Sequence, residues 1–598
     1  MKISYPGIYQ GYTATIYDSY VRHSVYVPVR DGTRLAVDYL IPAKAGVEQA
    51  DKFPIVLQFT PYNRCNYGSG LRTYDMESYD YDGAENSAYM MTSHGYVFAK
   101  ADVRGTGASY GARVAPNNEQ ECMDGYDIVE WLAVQPFSNG KVGMIGSSYT
   151  GQTQLEVIRM RPPHLTAVCI GNTNIDAFDG WMRGGIISDF GNDDEEELLG
   201  HERQKTVADR VFETVPVDED KNSSMLRDAI IEQSTGGLWE HLFDDLHYRD
   251  SVSGLTGTRY LEEISPSRYL DDINASGVAV YILAGMYDPY RRDAFLLMKN
   301  LTVPKKMAFG SWYHCYAKND PDWPIEHIRW FDHWLKGIEN GITGEPPYFL
   351  KCENDQEKDA FYQEWPVEAG SRETFILDDS GNLVKESDWL IKENDRSDRK
   401  PSGIRYQAVY GIRTSIEDYY AGEMDDPDKV LVSRTEPLRE DRVFVGHPMV
   451  ELCFQMLNTT EKDIDFYIVL SDYDPVTKQS HIISDGRLRA SFRKTGEAHY
   501  DFLGLPWHPG RECDIQMIND QEEYEITIDL MPVSYEIKAG HELHMGISNA
   551  MGCFDYLHRK EYEDGDLTNG PEWLLITDGR TRLEMPDIYS CKIKEDKE

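Results

Sequence analysis

The sequence predicts a parallel, doubly wound α/β sheet that is interrupted by a helical insert and followed by an all-β sandwich. Three observations predict it. Short apolar runs alternate with helix-period segments over residues 1–174, and the alternation returns over 265–345. Between them, 175–264 has helical stretches, few strand-like runs, and an acidic run at Asp189–Glu202 with seven acidic residues among fourteen. From 346 to 598, short alternating strands follow one another without helices, as in a β-sandwich. A chain of 598 residues is too long for one core, so about two to four domains are expected.

The elements can be justified in order. Asp31-Gly32 reads as a hairpin turn between alternating strands Ser24–Pro28 and Arg34–Ile41. Phe53–Thr60 and Tyr96–Val103 are apolar runs of buried-strand length, with a helix expected over Ala84–His94. Asp124–Val134 spaces Ile128, Trp131 and Leu132 at helical intervals. Val142–Ile145 is a further buried strand, and Gln152–Met160 a helix ended by Pro162-Pro163. The pattern resumes at Val278–Ala284 and Lys306–Phe309 and closes with a helix over Ile328–Lys336. Beyond 346, strands are expected at Met449–Met456, Asp465–Leu470, Tyr524–Leu530 and Glu542–Ile547.

Two serines compete as nucleophile. A nucleophile elbow needs a buried strand before it, a helix after it and small residues close by, because the turn is tight. Gly107-Ala-Ser-Tyr-Gly111 matches G-x-S-x-G, but a glycine-rich loop follows it, so Ser109 is read as a decoy. In Gly146-Ser-Ser-Tyr-Thr-Gly151, Ser148 has Gly146 and Thr150 at the flanking positions, a strand before it and a helix after it. A serine needs a base held by a carboxylate, and in this topology acid and base follow it in chain order. Asp288, after Val278–Tyr287, and His314, after Met307–Tyr313, are so placed. An oxyanion needs about two donors. The Tyr149 backbone N–H is one; the Tyr62 hydroxyl, in the loop Thr60-Pro-Tyr62, can be the other.

Seven motifs now stand in order: Arg30–Leu35, Thr60-Pro-Tyr62, Asp102-Val-Arg-Gly-Thr-Gly107, Gly146–Gly151, Gly285-Met-Tyr-Asp288, Gly310-Ser-Trp-Tyr-His314 and Trp330–Gly337. With them the chain resembles the cocaine esterase / X-Pro dipeptidyl peptidase-like acyl hydrolases, a family that includes α-amino acid ester hydrolases and glutaryl acylases. The resemblance implies an α/β-hydrolase domain, a helical cap inserted between the nucleophile and acid strands, and a C-terminal jelly roll. It assigns Ser148, Asp288 and His314 as a triad, with Tyr62 and Tyr149 as oxyanion donors. The α-amino acid ester hydrolases carry acidic residues directly after the catalytic aspartate; here Pro289-Tyr290-Arg291-Arg292 stands instead. The acidic run 189–202 is read as a solvated surface.

Bulk properties exclude other classes. A net charge of −42 opposes nucleic acid or an anionic membrane as partner. The first residues lack an apolar core of signal-peptide length, and nine cysteines without C-x-x-C pairs suit the reduced thiols of a cytoplasmic protein. No cofactor and no metal are expected. His541 and His544 are three apart in a strand-like stretch, and the Asp102–Gly107 loop has no P-loop lysine. The expected partner is a small ester, amide or short peptide substrate, and the pattern is compatible with a homo-oligomer. A serine hydrolase with esterase activity is the first reading. An X-Pro dipeptidyl peptidase or amide acylase is second, and a non-catalytic protein that binds carbohydrate or peptide is the rival from another class.

Overall fold

A computed structural model describes residues 13–67, 74–75, 87–186, 206–236, 242, 245–314, 322–366, 371–394, 403–410, 430–549 and 568–587. The acidic run 189–202 lies outside them. The chain divides into two compact units. The first comprises residues up to 176, 193–246 and 251–349; the second comprises 177–192, 247–250 and the chain from 350 onward.

The first unit is built on strands β1 (Ser19–Pro28), β2 (Arg34–Lys44), β3 (Phe53–Thr60), β4 (Val97–Asp102), β5 (Ser138–Ser147), β6 (Leu165–Gly171), β7 (Ala279–Tyr287) and β8 (Lys305–Tyr313). They lie side by side in the order β1-β2-β4-β3-β5-β6-β7-β8. The first two pairings, β1 with β2 and β2 with β4, are antiparallel. From β4 onward every pairing is parallel. Every residue of β3 and of β7 is buried, as expected of strands covered on both faces. All parallel strands therefore end at one edge, and that edge carries Thr60, Asp102, Ser147, Gly171, Tyr287 and Tyr313.

The expected hairpin is present: β1 and β2 pair through Pro28 and Arg34, and Asp31 Oδ1 accepts the Thr33 N–H at 2.9 Å across the turn. The longer helices of the unit are α1 (Ser87–Ser93), α2 (Glu119–Ala133), α3 (Tyr149–Arg159), α4 (Val207–Glu213), α5 (Ser224–Gln233), α6 (Arg291–Asn300) and α7 (Asp322–Lys336). Helix α2 begins before the apolar periodicity does. Asn118 caps it by accepting the Glu121 N–H at 3.1 Å, so a polar first turn becomes helical without an apolar stripe. In the expected cap region, Leu226 and Ile230, four apart on α5, bury against Ala36, Ala108 and Val217. No helix among the described residues is long and apolar enough to cross a membrane.

The second unit is a sandwich of antiparallel sheets. One sheet contains Met449–Leu457 between Arg582–Asp587 and Thr568–Ile576; the other runs Leu431–Arg434, Glu542–Ser548, Asp465–Asp474, Gln479–Arg489. Their inner faces meet at Phe454 and Phe466, whose ring centroids are 4.7 Å apart, and Trp573 packs edge-on against Phe466 at 5.2 Å. The strands expected beyond 346 are found, each extended by one or a few residues at an end or shifted by one.

Candidate active site

Ser148 sits between β5 and α3 with φ 55° and ψ −124°, a conformation that a non-glycine residue adopts only where its surroundings enforce it. Those surroundings are visible. A Cβ on Gly146 would lie 2.3 Å from Thr150 Oγ1, and one on Gly151 would lie 2.5 Å from the Gly171 carbonyl oxygen. Thr150, one of the two flanking residues, closes the turn with its hydroxyl. It donates to the Ser147 carbonyl at 2.7 Å and accepts the Ser147 N–H at 2.9 Å. The Ser148 N–H donates to Gly171 at 3.0 Å, which ties the serine to the end of β6. The helix begins at Tyr149 itself, earlier than its apolar spacing alone suggested.

Asp288 and His314 follow neighbouring parallel strands, β7 and β8, and meet: His314 Nδ1 stands 2.5 Å from Asp288 Oδ2. The other carboxylate oxygen, Oδ1, accepts the Tyr290 N–H at 2.7 Å. A carboxylate only accepts, so Nδ1 is the nitrogen that donates to it, and in the neutral ring Nε2 is the acceptor. The Asp288 side chain is 1% exposed and that of His314 is 18% exposed, so the carboxylate is shielded while the ring keeps an open side. Asn172, at the end of β6, donates from Nδ2 to the Tyr313 carbonyl at 3.4 Å and links the serine's neighbour Gly171 to the histidine's neighbour. Aromatic rings surround the pair: Tyr290 lies 5.9 Å from His314, and Tyr287 stacks on Tyr313 at 5.0 Å.

Tyr62 lies just past the end of β3 and is 37% exposed. Its N–H donates to Thr60 Oγ1 at 3.1 Å, and its ring meets the Tyr149 ring nearly edge-on, centroids 6.1 Å apart at 75°. Two residues on, Arg64 is fully buried and bridges Asp38 of β2 (2.9 Å) and Asp102 of β4 (2.8 Å). The Arg64 N–H also bonds Asp102. The tight loop after Asp102 follows from this packing. Gly107, φ 50°, lies so close that a Cβ there would be 2.3 Å from Asp102 Oδ2.

The two serines are thus placed differently. Ser109 is wholly buried, accepts the Ala36 N–H at 2.9 Å and donates to the Asp102 carbonyl at 2.8 Å. Ser148 is partly exposed at the same sheet edge as the acid and base, just past a strand separated from the acid strand by β6.

Motif reading did not single out Arg113, Asn117 or Glu121, which gather at the Tyr149 phenol. Its hydroxyl donates to Glu121 Oε2 at 2.6 Å, Arg113 Nε donates to Glu121 Oε1 at 2.6 Å, and an Arg113 terminal nitrogen bonds the phenol oxygen. No signal marks them in the sequence, since they fall in a loop and in the polar first turn of a helix.

Among known proteins, residues 31–316 match the X-Pro dipeptidyl-peptidase (S15) family. Residues 340–550 match the X-Pro dipeptidyl-peptidase C-terminal non-catalytic domain. The two matches together span most of the chain and mark it as a serine hydrolase. A putative serine esterase of Mycobacterium tuberculosis is 28% identical over 579 residues, 88% of this chain and 90% of that protein. The cocaine esterase of a Rhodococcus species is 23% identical over 579 residues, 89% and 91% of the two chains. A CocE/NonD family hydrolase of Staphylococcus aureus has the same fold, with a TM-score of 0.70 at 16% identity over 95% of this chain and 93% of that one. The resemblance drawn from seven short motifs is borne out.

Proposed function

We propose that this serine hydrolase is an esterase working through an acyl-enzyme. Ser148 Oγ attacks the ester carbonyl carbon while His314 Nε2 takes the hydroxyl proton. Asp288 holds the imidazole by its Nδ1–H and stabilises the imidazolium. The tetrahedral oxyanion is held by the Tyr149 N–H and the Tyr62 hydroxyl. Collapse breaks the bond to the alkoxy group, which leaves with the proton from His314. Water, deprotonated by the same ring, then releases the acid and frees Ser148.

The observation that carries this reading is the short Asp288–His314 contact at the edge where Ser148 is held at positive φ. No metal or cofactor is needed for these steps. We propose further that residues 175–264 form a cap over a small-molecule substrate and that the enzyme is cytoplasmic. An X-Pro peptidase or amide acylase is the second reading, and the matched catalytic family is described by the X-Pro peptidase. An ester substrate is preferred because Pro289-Tyr290-Arg291-Arg292, directly after Asp288, offers no carboxylate to hold a substrate ammonium. There Arg291 turns its guanidinium to the Asp288 carbonyl at 3.2 Å.

The test is a panel of p-nitrophenyl esters beside Gly-Pro and Ala-Pro anilides, run with wild type and Ser148→Ala. Turnover of esters well above anilides, abolished in the variant, is expected. Faster anilide cleavage would replace the esterase reading with the peptidase one.

A further inference from the structure

The catalytic reading uses the backbone N–H of Tyr149 and leaves its side chain without a task, yet that side chain is firmly tied. Three bonds converge on its far end, and a fourth braces the group that accepts from it. The phenol donates to Glu121 Oε2 at 2.6 Å and is bonded by Arg113, and the Asn117 N–H reaches both the phenol oxygen and Glu121 Oε2, each at 3.2 Å. Arg113 closes the ring through Glu121 Oε1 at 2.6 Å, and its guanidinium carbon lies 5.0 Å from the Tyr149 ring centre. Glu121 is 1% exposed and Arg113 7% exposed, so this is a dehydrated ion pair whose bonds hold their geometry. Burial holds the Tyr149 phenol well above its usual pKa, outweighing the pull of Arg113, so it keeps its proton and remains the donor to Glu121.

The same ring meets the Tyr62 ring nearly edge-on. Tyr62 belongs to a loop, is more than one-third exposed, and is followed by Asn63 at φ 71°. A phenolic oxyanion donor must sit about 2.7–3.1 Å from the developing charge. Displacement by about 1 Å can cost on the order of 10²-fold in rate. An exposed ring on a loop needs a fixed surface to set its direction, and an edge-on aromatic partner at this distance supplies one.

We infer that the Tyr149 phenol, clamped by Glu121 and Arg113, is a positioning group that orients the Tyr62 ring toward the oxyanion. This rests on the proposed role of Tyr62. One residue then serves both donors: its backbone N–H is the first, and its clamped ring aims the second. Glu121 and Arg113 act through Tyr149 and touch no reacting atom.

The experiment is a double-mutant cycle between Tyr62→Phe and Tyr149→Phe, read as kcat and KM on an activated ester, with melting temperature recorded for each variant. Tyr149→Phe keeps the backbone donor and removes only the clamped hydroxyl. It should lower kcat about 10-fold with KM within about 2-fold, because the mispositioned donor matters in the transition state. In the Tyr62→Phe background, where there is no hydroxyl left to aim, the same substitution should cost less than about 2-fold. Equal loss in both backgrounds, or no loss in the wild-type background, overturns the inference and leaves the phenol a packing group. A Tyr62→Phe enzyme as fast as wild type removes the oxyanion role of Tyr62 itself, and the inference with it. The two failures are therefore distinguishable. Should Tyr149→Phe not fold, Glu121→Gln preserves shape while weakening the clamp. It should show the same dependence on Tyr62, and its absence there overturns the inference equally.

Discussion

Ser109 Oγ accepts the Ala36 N–H and donates to the Asp102 carbonyl, so the serine of the only G-x-S-x-G match is a brace between β2 and the loop after β4. Removing it leaves a buried N–H without its acceptor, which costs about 1–3 kcal/mol. Ser109→Ala should therefore melt at lower temperature yet turn over ester near the wild-type rate. A loss of 10³-fold or more in kcat from a folded Ser109→Ala enzyme, on the order of losing a triad member, would make Ser109 chemical.

Tyr62→Phe keeps the ring against Tyr149 and deletes a single donor. Elsewhere one oxyanion donor is worth roughly 10²–10³-fold in kcat, or about 3–4 kcal/mol, and a loss in that range is expected with KM little changed. Steady-state kinetics on a good ester decides it. A folded variant within about threefold of wild type would mean that the second donor lies elsewhere.

Arg64 is the sole cation bonded to Asp102 in the described hydrogen bonds and ion pairs. Burial raises the Asp102 pKa despite the pull of Arg64, so an unpaired carboxylate there would be poorly tolerated. Arg64→Met should cost about 3–5 kcal/mol in urea unfolding, the toll of breaking a buried pair from one side. Because Arg64 also fixes the chain two residues past Tyr62, the surviving folded fraction should be slower as well. A loss below about 1 kcal/mol would mean that Asp38 and Asp102 do not depend on it.

Much of this architecture was legible in the sequence, for physical reasons. Buried parallel strands such as Phe53–Thr60 are apolar throughout, and the elbow demands Gly146 and Gly151 where a Cβ would collide. Chain order placed Asp288 and His314 because both must end strands at one edge. The Arg64 bridge and the Glu121–Arg113 clamp were not legible. Their partners are far apart in sequence or lie on different elements, and a buried arginine reads like a solvated one until its carboxylates are located. Helix α2 starts earlier than its apolar spacing predicts for a related reason: its first turn is held by the Asn118 cap, which apolar periodicity does not report.

Glu156, on α3 and 4% exposed, gives a prediction about pH. Burial, reinforced by the nearby charge of Glu121 and only partly relieved by Arg159, Asn117 and Arg113, holds its pKa well above the usual glutamate range. The folded state thus keeps a proton that the unfolded chain releases above about pH 4.3. The unfolded state then binds fewer protons, and stability falls as pH rises from that value toward the folded pKa. Glu156→Gln, neutral at every pH, should match wild type near pH 4 and gain in melting temperature relative to it between about pH 5 and 8. A difference that stays constant across that range would show that Glu156 ionises freely in the folded protein.

The central claim is that Ser148 is the nucleophile, activated by His314 and Asp288. The most direct test is to label the full-length enzyme with a fluorophosphonate and locate the adduct by mass spectrometry of its peptides. The account predicts one adduct, on Ser148, absent from Ser148→Ala and strongly slowed in His314→Ala, whose serine lacks its base. An adduct on Ser109, or undiminished labelling of Ser148→Ala, would contradict it.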